Sequence, residues 1–271
     1  MGTQSFRAIA YLQYLANAKS IQYIHSPFLF ELMKYVFDDS DKNHHPSFSE
    51  IESYRKKLMK NEIRIQFEDF GAGSDADASP AVRQGKRIKD ISIGDIASKA
   101  VKQGKYSRFL YRLVHYLKCT EAIELGTSLG ITTSYLTLTC NQVRTVESDK
   151  NVLKVAEETW KDLSKRNIKS YSFDLNEKWS LLCKEIDTID FLFIDANHRK
   201  EAMIRYTLQA LPYIHQKSVI VLDDIHWNEE TFEAWKILKA RKEVSLSFDI
   251  FQMGVLFFDS NLSKQDFTLR Y

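Results

Sequence analysis

The chain is poor in cysteine, proline and glycine. Its 271 residues hold 3 Cys, 4 Pro and 9 Gly. Cys119, Cys140 and Cys183 lie far apart, which excludes a disulfide framework and a close metal-ligating pair. A reducing, cytoplasmic setting follows as the expectation. So few prolines and glycines exclude a collagen-like or low-complexity chain. No run of 18 apolar residues occurs, so no membrane span is expected. The opening MGTQSFRAIAYLQYLANAKS has no continuous apolar stretch and no small-residue cleavage site, and does not read as a signal peptide.

What is plentiful is ordinary globular material. Hydrophobic residues make up 44%, and 17 Phe and 13 Tyr supply bulk for a sizeable core. The net charge of +2 is unevenly spread, with residues 1–120 basic and residues 121–271 acidic on balance. Residues 83–112 are the most basic, as in some nucleic-acid binders. The aromatics there, Tyr106, Phe109, Tyr111 and Tyr116, alternate at helical spacing with Leu110, Leu113, Val114 and Leu117. That pattern reads as a core helix with a solvated face, not as a base-stacking platform.

The pattern changes near residue 120. Before it, apolar residues recur at helical spacing: Ile9, Leu12 and Leu15, then Phe28 to Phe37, then Phe109 to Leu117. Pro27 after Ser26 suits a helix start. The small, polar stretch GAGSDADASPAVRQGKRIKD reads as a mobile loop near 70–90. Within it Asp69-Phe70-Gly71-Ala72-Gly73-Ser74 imitates a nucleotide-binding turn, but no helical pattern follows to supply a wall and a dipole. After 120, strand-like runs AIEL, VRTVE, SYSF, DFLFIDA and SVIVLDD alternate with helical segments. SLSFDIFQ and GVLFFDS then follow almost without a break. The expected fold class is α/β: a Rossmann-like, doubly wound, seven-stranded mixed sheet ending in an antiparallel hairpin. Residues 1–103 form the expected helical cap, and residues 104–271 the α/β domain.

Chemistry-bearing residues cluster at the expected strand ends. The run Glu124-Leu125-Gly126-Thr127-Ser128-Leu129-Gly130 leads from a strand into a helix. Its glycines permit a tight turn and close backbone approach to a ligand. The spacing is G-x-x-x-G, which is neither the G-x-G-x-x-G dinucleotide fingerprint nor a Walker loop. The next strand ends in Val146-Glu147-Ser148, where a carboxylate could accept bonds from both ribose hydroxyls of a nucleoside. Asp195 closes a later strand, and Asp223 and Asp224 close the next. Three converging carboxylates suit Mg²⁺. One or two of them could instead cap helices or anchor loops. His198 stands three residues past Asp195, and histidine is the natural general base near neutral pH. His226 is a second candidate, better read as a packing or capping residue beside Trp227. Arg199 and Lys200 read equally well as solvent charges.

ELGTSLG (124–130) followed by VES (146–148) resembles the first two motifs of class I S-adenosylmethionine-dependent methyltransferases. FIDANH (193–198) and VLDDIHW (221–227) are similar to runs in the small-molecule O-methyltransferase group that includes catechol O-methyltransferase and bacterial natural-product enzymes. The resemblance spans about residues 104–260 and is more specific for fold and cofactor than for substrate. It implies S-adenosyl-L-methionine as cofactor, with Glu124, Gly126, Thr127, Ser128 and Gly130 along its methionine part. Glu147, with Ser148 beside it, would hold the ribose. Asp174 would approach the adenine, or equally cap the next helix. It further implies a metal at Asp195, Asp223 and Asp224, and His198 as base with Asp195 beside it. Ala196 stands where bacterial relatives show glycine in a D-G-x-H pattern, and YIHQKSV (213–219) replaces a common proline-glycine turn. The expected activity is Mg²⁺-assisted methyl transfer to a hydroxyl of a small molecule. A homodimer is the expected assembly, and no membrane partner is expected. Two rivals remain: a catalytically silent, methyltransferase-like interaction domain, and an RNA methyltransferase using the basic half. The N/D-P-P-Y/F run of base-nitrogen methyltransferases is missing.

Overall fold

A computed structural model describes residues 3–40, 44–69, 87–99, 101 and 104–271. In chain order the helices are α1 (Thr3–Asn17), α2 (Pro27–Val36), α3 (Phe48–Leu58), α4 (Ile93–Lys99), α5 (Gly104–Leu117), α6 (Ile131–Leu136), α7 (Lys150–Asp162), α8 (Leu175–Lys184), α9 (Lys200–Ala210) and α10 (Glu229–Ala240). The strands are β1 (Arg64–Asp69), β2 (Arg87–Ser92), β3 (Glu121–Leu125), β4 (Gln142–Glu147), β5 (Ile168–Ser172), β6 (Ile189–Ile194), β7 (Ile214–Asp223), β8 (Leu246–Asp249), β9 (Met253–Phe257) and β10 (Gln265–Thr268).

The chain divides into two compact units. Met1–Phe30 and Asn176–Tyr271 belong to the first, and Glu31–Phe70 and Lys86–Leu175 to the second. In the first unit the strand order is β10-β8-β9-β7-β6. β6 and β7 run parallel with Ile194 opposite Leu222, and β9 is antiparallel to both β7 and β8. In the second unit the order is β3-β4-β5, all parallel, with Leu125 opposite Val146. The mixed sheet has eight strands, not the seven expected. The extra one, β10, pairs parallel to β8 at the edge. Its sequence QDFT is only partly buried, so it lacks the apolar signature of an inner strand. The β8–β9 hairpin is present, but it is not the last element.

Local chemistry sets the helix starts. Asp149 caps α7 by accepting from the Asn151 and Val152 amides at 2.7 and 2.9 Å. Asn228 and Thr231 form a capping box on α10, whose first turn carries Glu229 and Glu230. The Ser26 hydroxyl accepts from the Leu29 amide ahead of α2. That helix buries Leu29, Leu32, Met33 and Val36 completely. In α5, Phe109, Leu110, Leu113 and Val114 are fully buried, as the aromatic spacing implied. Arg112 is buried too, satisfied by the Val36 carbonyl and by Asp39.

Two N-terminal features differ from expectation. The region before 103 is not wholly helical, because β1 and β2 form an antiparallel hairpin. Residues 87–90, expected in the loop, belong to β2. The rest of that expected loop, with the imitation turn after Asp69, lies outside the described residues. In α1 the buried positions are Ala10 and Tyr14, while Ile9 and Leu12 face solvent. The Tyr14 hydroxyl donates to the Leu269 carbonyl at 2.5 Å, which sets that face. No described helix is long and apolar enough to cross a membrane.

Candidate functional site

The glycine turn joins β3 to α6. Gly126 and Gly130 hold φ of 101° and 77°, and Ser128 sits at 49° between them. The left-handed backbone explains the glycines. The Gly126 and Thr127 amides donate to the Val146 carbonyl at 3.0 and 3.2 Å, so the turn is fastened to the end of β4. Gly130 has a second reason to lack a side chain. An added Cβ would lie 2.4 Å from Trp160 Nε1, which donates to the Gly130 carbonyl.

Glu124 lies fully buried at the end of β3. One carboxylate oxygen accepts from the Thr133 and Thr145 hydroxyls at 2.5 and 2.7 Å. The Thr127 and Thr145 hydroxyls share a further bond of 2.6 Å. The other Glu124 oxygen, Oε1, is buried and has no hydrogen-bond partner among the described residues. Burial is the main force that pushes the Glu124 carboxyl up to about 7, and the threonine bonds oppose it.

Glu147 ends β4 beside the turn. Its Oε2 accepts from the Ser128 amide at 2.9 Å, and its Oε1 from the Asp149 amide at 3.2 Å. The Ser148 hydroxyl reaches Oε1 at 3.4 Å. Burial raises this carboxyl as well, against those backbone donors. Part of Glu147 stays open to solvent. The Ser128 hydroxyl is buried and has no partner among the described residues. Glu124, Gly126, Thr127, Ser128, Gly130, Glu147 and Ser148 thus gather at two neighbouring strand ends. Asp174 directly precedes α8, where either of its two readings can operate.

The first unit holds the other candidates. Asp195 follows β6, and His198 Nε2 lies 3.7 Å from Asp195 Oδ1, both partly exposed. Asn197 between them is left-handed, with φ of 50°, and donates to the Tyr206 hydroxyl at 3.3 Å. Asp223 is fully buried at the end of β7, whereas Asp224 is left-handed at φ 51° and partly exposed. Among the described residues no group of three or more His, Cys, Asp or Glu side chains is placed to hold a metal ion.

His226 takes a packing role. It is buried, donates to or accepts from Asp249 Oδ2 at 2.7 Å, and stacks on Phe232 and Phe251. Sequence reasoning missed Thr133, Thr145 and Trp160, which brace the glycine turn. Their positions on the next helix, strand and helix give no local signal. It also missed Arg7, whose guanidinium lies 4.5 Å from the centre of the Trp227 ring.

Residues 123–225 match the protein family described as "Methyltransferase domain". Solved structures with this fold include the methyltransferase PaMTH1 of Podospora anserina, bound to SAH. It is 11% identical with a TM-score of 0.56, over 88% of this chain and 97% of that one. The O-methyltransferase of Bacillus cereus, in complex with SAH, is 15% identical with a TM-score of 0.51, over 84% and 96%. TomG of Streptomyces achromogenes, an O-methyltransferase in complex with SAM, is 14% identical with a TM-score of 0.52, over 59% and 82%. No curated protein matches the chain by sequence.

Proposed function

We propose that this chain, with its methyltransferase domain at residues 123–225, transfers a methyl group from S-adenosylmethionine to a hydroxyl oxygen of a small molecule. One observation carries the cofactor half: the Ser128 amide of the glycine turn bonds the Glu147 carboxylate at the end of β4. A ribose diol needs such an acceptor, and the cofactor's remaining parts need the backbone space of the turn. The unpartnered Glu124 Oε1 suits the cationic amino group of a methionine moiety. Ser148 stays with the ribose acid, and Asp174 is assigned to the adenine side.

When bound, S-adenosylmethionine supplies an electrophilic methyl carbon on a positively charged sulfur. That methyl would pass to the acceptor oxygen, with the carbon–sulfur bond breaking and its electron pair left on sulfur. His198 takes the hydroxyl proton at the ring nitrogen turned away from Asp195, and Asp195 Oδ1, 3.7 Å from Nε2, supports the imidazolium that results. That separation is wide for a hydrogen bond, as catalytic pairs often are before substrate binds. Alignment and exclusion of water supply the rest of the rate.

A divalent cation fits the residues poorly. Asp195, Asp223 and Asp224 form no group placed to hold a metal ion. Cys119, Cys140 and Cys183 are buried and form no disulfide, which supports a reducing, cytoplasmic setting. The test is methyl transfer from isotopically labelled S-adenosylmethionine to a panel of catechols and hydroxylated sugars, with Mg²⁺ and with a chelator. Labelled O-methyl product is the expected result. Turnover that vanishes on chelation would restore the three aspartates as a metal site. Label on nitrogen or on RNA alone would overturn the oxygen acceptor.

A further inference from the structure

The first unit contains a cation whose role the methyl-transfer chemistry does not explain. Arg7 lies on α1, and its guanidinium carbon stands 4.5 Å from the centre of the Trp227 ring. Among the described residues no carboxylate forms an ion pair with it. Trp227 follows the end of β7, and its ring centre lies 6.5 Å from that of His198, which follows the end of β6. Arg7 therefore shares one tryptophan with the proposed base. All three side chains keep part of their surface open to solvent.

Arg7 is held in place. Phe6 packs on Phe232 at 6.4 Å, and Tyr11 on Phe251 at 4.9 Å. Tyr14 is hydrogen-bonded to the Leu269 carbonyl, and a backbone bridge joins Lys19 to Leu269. A guanidinium over an aromatic ring still has the N–H donors along its edge to offer. Those donors fit a carboxylate or phosphate in a bidentate fork, which an ammonium would not reproduce. Asp195 Oδ1 stands 3.7 Å from His198 Nε2.

We propose that Arg7 and Trp227 form an anion-recognition subsite for the acceptor, so that the methylated molecule carries a carboxylate or phosphate besides its hydroxyl. The subsite rests on the methyl-transfer reading above, because His198 marks where the hydroxyl must come. Arg7 would receive the anionic group, and the exposed part of the Trp227 ring would wall the carbon skeleton. A small molecule spanning both is thus anchored at one end and presented at the other.

The test compares matched probes that differ only in the anion: 3,4-dihydroxybenzoate against catechol, and glucose 6-phosphate against glucose. Binding is read calorimetrically on the full chain in the presence of S-adenosylhomocysteine, and turnover with S-adenosylmethionine. The anionic member of one pair should bind at least about tenfold tighter than its neutral partner. The carboxylate and phosphate arms tell which anion is used. Arg7→Ala should erase that preference through KM, with kcat for the neutral member and cofactor affinity unchanged. Arg7→Lys should recover only part of it, since the fork is lost. Equal binding of both members, or of neither, by protein that still binds the cofactor overturns the subsite. So does a loss in Arg7→Ala that affects both members alike, which is what a merely structural arginine would give. Failure of cofactor binding in the wild-type chain would instead strike the methyl-transfer reading.

Discussion

The two units carry their functional residues in opposite ways. In the second unit the glycine turn, Glu124 and Glu147 form a tightly bonded cradle. Three threonine hydroxyls, backbone amides and the Trp160 ring all fix it. In the first unit Asp195 and His198 are partly exposed, and His198 Nε2 stands 3.7 Å from Asp195 Oδ1. On the proposed reading, the half that would bind the cofactor is organised before any ligand arrives, while the half that would do the chemistry keeps slack. A recurring cofactor rewards a rigid site. An acid–base pair that must adapt to an acceptor need only tighten when that acceptor is present.

Substitutions can sharpen or break this contrast. The largest effect is expected at His198→Ala, which should lower kcat by about 10²- to 10⁴-fold. Cofactor affinity should stay as in the wild type, since the residue lies outside the cradle. A matching loss of calorimetric affinity would show that the chemical and binding halves are not separable. Thr145→Val should come next. It removes a donor from Glu124 and a partner from Thr127, at a cost of about 1–3 kcal/mol in chemical denaturation.

Glu124 gives the contrast a pH dependence. Its carboxyl is raised in the fold to about 7. The stability it contributes is therefore full below its unfolded value and lost as pH rises through about 7. Chemical denaturation should show the cofactor-free protein losing about 3 kcal/mol across that window. Glu124→Gln should flatten this component. An unchanged slope in the variant would mean that the buried carboxyl is not the source. Gly130→Ala should cost about 1–3 kcal/mol, because its Cβ would strike Trp160 and its φ is positive. The smallest effect is expected at Asn228→Ala, where the lost α10 cap should cost about 1 kcal/mol in the first unit and leave the cradle untouched.

Legibility in the sequence followed the same divide. The glycine turn and Glu147 were readable because both sit at strand ends, where spacing alone fixes position. Parallel pairing of Leu125 with Val146 then brings them together. Inner strands were readable from their apolar runs. The β1–β2 hairpin was not, because its residues alternate with charges, as in the Arg64–Asp90 cross-strand pair. Edge strand β10 was missed for the same lack of burial. The α1 core face was misjudged, since Tyr14 is drawn in by a backbone carbonyl 255 residues away. Adjacent strand ends likewise suggested a carboxylate trio, yet adjacency does not set side-chain direction. Asp223 is fully buried, whereas Asp224 is partly exposed on a left-handed backbone. The His226–Asp249 pair had no signal at all, because its members come from different elements.

The most direct measurement of the central claim is calorimetric titration of the wild-type chain and of Glu147→Ala with S-adenosylmethionine. Micromolar binding by the wild type is expected, with a loss of about 100-fold or more in the variant, the worth of two charge-assisted ribose bonds. Equal affinity in both proteins, or no binding by folded wild-type protein, would contradict it.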